Sequence, residues 1–268
     1  MSNNFIRQTN PIPKPPFLGA RCIEKISLLT IIPYINLDVL YKFQWGFKQD
    51  SAKQSDSVFN RLIAENRKAN IIQLQALYGY FACQSVGDEL VVYNNSSDQK
   101  ELCRFLFPRQ ATGNHLCVAD YFKPQSSKEL DVVAFQLVTV GQQASAYARE
   151  LFQQNKYQEY LYWRGLNAEI AAAMAEFVHK QIRVELGFAA EEPRDIKDVF
   201  KQKYHGARFS FGYPSCPNLE DQEKILALLD AERIGVKLNE VHQLLPEEST
   251  SAIIVHHPQA EHFVVRTL

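Results

Sequence analysis

Residues 208–218 read RFSFGYPSCPN, an arginine, three aromatics, a glycine and two prolines within one short stretch. Pro214 and Pro217 fix φ and remove two backbone donors, and Gly212 permits a conformation that residues with a Cβ avoid. The segment is therefore a stiff, irregular turn built to hold one shape. Downstream, Asn218 followed three residues later by Asp221 resembles a capping box for a helix over Leu219 to Asp230. Upstream, Ile196, Val199, Phe200 and Tyr204 share one helical face, which places the turn between two helices. Two readings stay open at this point: a plain connection, and a clamp for a ligand.

Further from the turn, SAIIVHH and HFVVRTL, joined by HPQAE, read as a terminal β-hairpin. On the other side, Leu166, Ile170, Met174, Phe177, Val178, Ile182 and Leu186 mark one face of a long helix that stops at Gly187, after a shorter helix through Gln154. The middle of the chain has a different period. LYGYFACQ, ELVVYN, RFLFPRQ, HLCVADYF and DVVAFQLVTV are short apolar or alternating runs separated by Gly87-Asp88, Asn94 to Ser97, Gly113-Asn114 and a polar stretch at 123–130, the pattern of a largely antiparallel sheet. Within Ile31 to Phe47, Leu37, Leu40, Tyr41 and Trp45 have helical spacing after the breaker Pro33, and a second helix is expected over Ser57 to Lys68. Residues 1–16 hold four of the twelve prolines and no apolar period, so they are expected to form an extended arm before a single α+β domain over 17–268.

Composition narrows the function. The chain has 268 residues, 46% hydrophobic and 22% charged, with a formal net charge of -1, so no overall field favours nucleic acid. Five scattered cysteines without a Cys-x-x-Cys pair fit a reducing cytoplasm and neither a disulfide framework nor a zinc site. No apolar run is long enough to span a bilayer, and no membrane role is expected. Gly-x-Gly, Walker and Gly-x-Ser-x-Gly motifs are absent, and the seven histidines show no metal-ligand spacing. His179, inside the long helix, reads as a packed histidine and not as a base. No catalytic residue is assigned.

The extended stretch YHGARFSFGYPSCPNLEDQEKILALLDAERIGVKLNE resembles the activation (reactivation) domain of cobalamin-dependent methionine synthase, which carries Arg-x-Ala-x-Gly-Tyr-Pro-Ala-Cys-Pro at this place. PPFLGAR, YINLDVLYKFQWGF, YGYFACQS, RFLFPRQ, FVHKQIRVELGF and STSAIIVHHP extend the likeness over about residues 15–265. The resemblance implies a C-shaped α+β unit around a twisted antiparallel sheet that binds S-adenosylmethionine. It also implies a role in methionine biosynthesis, as a methyltransferase component: reductive methylation of cob(II)alamin, with flavodoxin or a similar protein supplying an electron. None of the synthase's other modules has its signature here, including the Asp-x-His-x-x-Gly element that supplies a cobalamin ligand. The expected partner is therefore the cobalamin-binding module of a synthase lacking its own activation domain. Met1 and the proline-rich arm fit a separately encoded subunit or an excised domain.

Carried over by resemblance, Arg208 holds the ligand's carboxylate, Ser210 stands where the family more often has Ala and contacts the ligand through backbone, and Gly212 and Tyr213 pass close to ligand and corrin. Three positions depart from the family: Asn36 for Asp, Ala172 for Glu and His262 for Tyr. A charged hydrogen bond contributes roughly 1.5–3 kcal/mol, so loss of both acids implies affinity lower by about tenfold to a thousandfold. Three functions stay open on these residues: a reactivation subunit, a docking module or cobalamin chaperone that has lost the methyl donor, and a binder of another carboxylate-bearing molecule.

Overall fold

The run DVVAFQLVT forms β5 (Asp131–Thr139), and every one of its residues is buried. Successive side chains on a strand point to opposite faces, so burial throughout requires cover on both sides of the sheet. The computed structural model, which describes residue 6 and residues 9–48, 51–94, 99–190, 192–193 and 195–265, supplies that cover. β5 pairs on one edge with β2 (Gln75–Val86) and on the other with β9 (Ser249–Val255). The far edge of β2 is shared by β1 (Gly19–Ile23) and β3 (Glu89–Tyr93), and β4 (Glu101–Leu106) follows β3. β6 (Ala207–Ser210) pairs with β9 and closes a seven-stranded antiparallel sheet at the other end.

Alternation along these strands divides the core in two. Val132, Ala134 and Val138, with Tyr78, Tyr80 and Ile254, pack under α5 (Tyr157–Glu185) on Leu166, Ile170, Met174, Val178 and Ile182. α3 (Ala52–Ala69) and α4 (Gln142–Gln153) cover the same face, which also takes Ile31 of the short helix α1 (Leu28–Ile31) and, on either side of α2 (Leu37–Val39), Ile35 and Leu40. Val133, Phe135, Leu137, Phe209, Ile253 and Val255 form the opposite core beneath α7 (Asp221–Leu229) and the 116–122 segment. Each large side chain so buried contributes about 1.5–3 kcal/mol, which is why the sheet's centre is its most apolar part. Of the expected arm, Ile6 is buried in the second core and Ile12 packs on the first. A short α6 (Ile196–Phe200) and a ribbon of β7 (Lys237–Leu238) with β8 (Leu244–Leu245) complete the chain. Among the described residues no helix is long and apolar enough to cross a membrane.

The α+β reading holds, and four local expectations need correction. HLCVADYF is not a strand: Val118–Tyr121 form a 3-10 turn in which the Asp120 carboxylate accepts from Cys117 N (3.0 Å) and binds Arg109 (2.7 Å), and burial on all sides imitates a strand's apolar run. The terminal hairpin does not form in the described residues, because both edges of β9 are already taken, by β5 and by β6. His262 and Phe263 pack on Phe209 instead, and residues 266–268 lie outside the described residues. The opening stretch is not simply a turn between helices, since Arg208 to Ser210 belong to β6 and α7 starts only at Asp221. Most of the expected turn at Asn94 to Ser97 also lies outside the described residues.

The helix expected after Pro33 within Ile31 to Phe47 is not a single regular one. Pro33 sits in a 3-10 turn over Ile32–Tyr34, and Asn36 restarts the chain by accepting from Val39 N through Oδ1 (3.3 Å). From Leu40 to Gln44 the backbone widens to a π-helical turn, closed by Trp45 N donating to Leu40 O (3.0 Å). This turn lies against α5 at Gly165, where a Cβ would come within 2.9 Å of both Gln44 Cβ and Trp45 Nε1. Glycine leaves there the space that the Gln44 and Trp45 side chains occupy.

Candidate functional site

β6 is an edge strand, and its alternation sorts its side chains: Ala207 and Phe209 enter the second core, while Arg208 and Ser210 are partly buried on the side of α5. The chain then turns sharply. Tyr213 to Cys216 form a β-turn with Pro214 at its second position, Cys216 N donating to Tyr213 O (2.8 Å) and Gly212 N to Cys216 O (2.8 Å). Gly212 has φ +88°, a left-handed value that a side chain resists. Cys216 is buried beneath the turn, and desolvation pushes its thiol pKa up, so it fills space and is not a nucleophile.

Between β6, α5, α2 and the 262–264 segment lies a cavity of about 850 Å³. Six positions singled out from the sequence line it: Asn36, Ala172, Arg208, Ser210, Tyr213 and His262. Gly212 does not; it stands behind the wall and shapes the turn that presents Tyr213, which is 66% exposed. Asn36 uses Oδ1 to cap α2 while lining the cavity, and His262 packs against Phe209 with ring centres 5.2 Å apart and planes tilted by 50°. Burial, and then the nearby Arg208 charge, hold the His262 imidazole below its usual pKa. Ala172 leaves the wall open where a longer side chain would project.

The structure adds residues that sequence reasoning missed. Glu176 lies across from Arg208, with Oε2 at 3.8 Å from Nη2. It also accepts from Arg183 Nη2 (3.1 Å) and Tyr204 OH (3.3 Å). Burial raises the Glu176 pKa, while Arg208 and Arg183 oppose that rise. Arg183 is fully buried, bonds Glu192 through Nε, and lies 4.0 Å above the Tyr204 ring, a cation–π contact. His179 sits in the same cluster with its ring 5.3 Å from Tyr204, and burial with Arg183 and Arg208 keeps it neutral, well below the usual histidine pKa. Two turns earlier on α5, Glu169 lines the cavity at 8% exposure and accepts from Gln44 Nε2 (3.2 Å). The signal that could have found both acids is their spacing, since Glu169 and Glu176 bracket the apolar run IAAAMA. Similarly, the alternation in RFSF is that of a strand.

The cavity joins a second one of about 660 Å³ along Arg164, Glu247 and Glu248. Its walls are mixed, with Arg149, Gln222, Asn239 and Gln243 beside Phe152, Phe211 and Leu219. Among the described residues no group of three or more His, Cys, Asp or Glu side chains could hold a metal ion.

A seven-stranded antiparallel sheet covered by helices on both faces, with a cavity at its edge strand, defines a class already known from solved structures. The chain matches one described as the MetH reactivation domain bound to AdoHcy, with a TM-score of 0.89 and 24% identity, covering 97% of this chain and 85% of that one. The chain belongs to the family described as vitamin B12 dependent methionine synthase, activation domain, whose sequence profile matches residues 36–268. It is 39% identical over 277 aligned residues to the methionine synthase of Mycobacterium tuberculosis (strain ATCC 25618 / H37Rv), and 37% identical to that of Mycobacterium leprae (strain TN). Each alignment covers 95% of this chain but 23% of the relative, so the chain spans about a quarter of those proteins' length.

Proposed function

We propose that this activation domain binds S-adenosylmethionine in the cavity between β6 and α5 and serves reductive methylation of cob(II)alamin held by a separate cobalamin-binding module. The observation that carries the reading is the convergence of Arg208, Ser210, Tyr213, Asn36 and His262 on one cavity, beside a turn fixed by Gly212 and Pro214. Its volume lies within the roughly 300–1,000 Å³ of small-molecule pockets. When bound, S-adenosylmethionine supplies a methyl group on a cationic sulfur, and flavodoxin or a similar donor supplies the electron.

The residues of this chain position that group. Arg208 offers forked donors to the ligand's carboxylate, and Glu176 holds the guanidinium in place until it does. Glu176 itself stays satisfied afterwards, because Arg183 and Tyr204 remain bonded to it. The rigid Tyr213 turn loses little entropy when a ligand or corrin docks against it. A fully docking role without methyl donor is the rival that a binding experiment separates.

The test is the conversion of cob(II)alamin to methylcobalamin on a synthase module lacking this domain, with reductant and S-adenosylmethionine, in the presence and absence of this chain. Faster methylation with the chain supports the reading. Equal rates overturn it, and state-selective association without methyl transfer assigns the chain a docking role.

A further inference from the structure

We infer that Glu169 is the specificity-determining carboxylate of this cavity, the group that pairs with the ligand's sulfonium in place of the acid missing at position 172. The inference rests on the S-adenosylmethionine reading above.

Glu169 is a buried acid with an unusual share of partners. Its Oε1 accepts one hydrogen bond, from the neutral amide of Gln44 (3.2 Å), and among the described residues no cation pairs with it. Glu176, on the same wall, has Arg183, Arg208 and Tyr204. Burying a carboxylate without a cation is costly, and the cost falls when a positive group enters the same cavity. Desolvation accordingly raises the Glu169 pKa, with only Gln44 opposing it.

Position decides which cation. Glu169 and Glu176 are seven residues apart, two turns of α5, so their α-carbons are separated by about 10 Å along the helix. Arg208 stands at the Glu176 end. With the ligand carboxylate on Arg208, its ammonium stays one carbon from that end, whereas the sulfonium lies three bonds further along, toward Glu169. Ala172 lies between the two acids on the same cavity wall. The π-helical turn sets the direction, because it brings Gln44 across α5 at Gly165 to hold Glu169 Oε1.

The competing role for Glu169 is only to anchor Gln44, and the test separates the two. S-adenosylmethionine and its neutral thioether product, S-adenosylhomocysteine, differ at the sulfur alone, and Glu169→Gln keeps the size and the acceptor for Gln44. Calorimetric titration should show about a tenfold or greater loss for S-adenosylmethionine and less than about threefold for the thioether, with a melting temperature near the parent's. Adding Ala172→Glu to Glu169→Gln should restore the preference for the sulfonium. Equal losses for both ligands, no loss, or no recovery in the double variant overturn the inference alone. If the parent binds neither ligand at millimolar concentration, the proposed function fails with it.

Discussion

Gly165→Ala sets two effects of opposite sign against each other where the π-helical turn crosses α5. In a helix interior, alanine is favoured over glycine by roughly 0.8–1 kcal/mol. The new Cβ, however, would meet Gln44 Cβ and Trp45 Nε1 at 2.9 Å and Trp45 Cδ1 at 3.0 Å. Those distances are about 0.5–1 Å inside ordinary contact, and overpacking of this kind costs roughly 1–3 kcal/mol. Relief by moving Trp45 strains its bond from Nε1 to Tyr162 O (2.9 Å), a further loss of about 0.5–1.5 kcal/mol. The clash therefore outweighs the propensity gain, with a net destabilisation of about 1–3 kcal/mol. For a chain of this size that lowers the midpoint by about 2–10 °C. Thermal unfolding followed by circular dichroism measures it, and ligand titration of the same variant should show weaker binding as Gln44 retreats from Glu169. A raised midpoint refutes the reasoning, because it would mean that residues 40–45 yield freely.

Three further outcomes are expected. His179 has a folded pKa depressed well below 6.5, so the unfolded chain takes up a proton that the fold refuses; stability present above pH 6.5 declines as pH falls below it, at up to about 1.4 kcal/mol per pH unit. The raised Glu176 acts in the opposite sense, its contribution being complete below pH 4.5 and lost as pH rises through its folded pKa; His179→Gln should therefore flatten the loss between pH 6.5 and 5.5, and an unaltered slope in denaturant titrations contradicts this. Gly212→Ala, forced into φ +88° with its Cβ 3.1 Å from Leu219 Cδ2, should cost about 1–3 kcal/mol and weaken ligand binding through Tyr213, whereas parental stability would show that the turn can relax. Asn36→Asp with Ala172→Glu should tighten S-adenosylmethionine binding by about tenfold or more, and no gain in titration would mean that these walls do not face the cation.

The parts of the fold legible in the sequence are those whose burial repeats with a period. β5 and the Leu166 to Ile182 face of α5 are read directly, since each buries a regular set of apolar side chains. β6 was hidden by its length: four residues of alternation, beside Gly212 and Pro214, resemble punctuation more than a strand. The 115–122 segment misled for the opposite reason, its apolar run being buried by tertiary cover without a ladder. For the cavity, the stretch matching Arg-x-Ala-x-Gly-Tyr-Pro-Ala-Cys-Pro pointed to Arg208, Ser210 and Tyr213. The spacing of Glu169 and Glu176 marks the pair, but their roles stayed hidden because they depend on Gln44, 125 residues from Glu169, and on Arg208 and Tyr204 across the fold. No local pattern records such contacts.

The central claim is that Arg208 makes this cavity a site for S-adenosylmethionine, and calorimetric titration of the parent and of Arg208→Ala tests it most directly. Arg208 is only 22% exposed and its partner Glu176 keeps two other donors, so the variant should fold with parental secondary structure. Loss of the forked donors to the ligand carboxylate should weaken binding by about 2–4 kcal/mol, or roughly 30- to 1,000-fold. Parental affinity in Arg208→Ala would contradict the account.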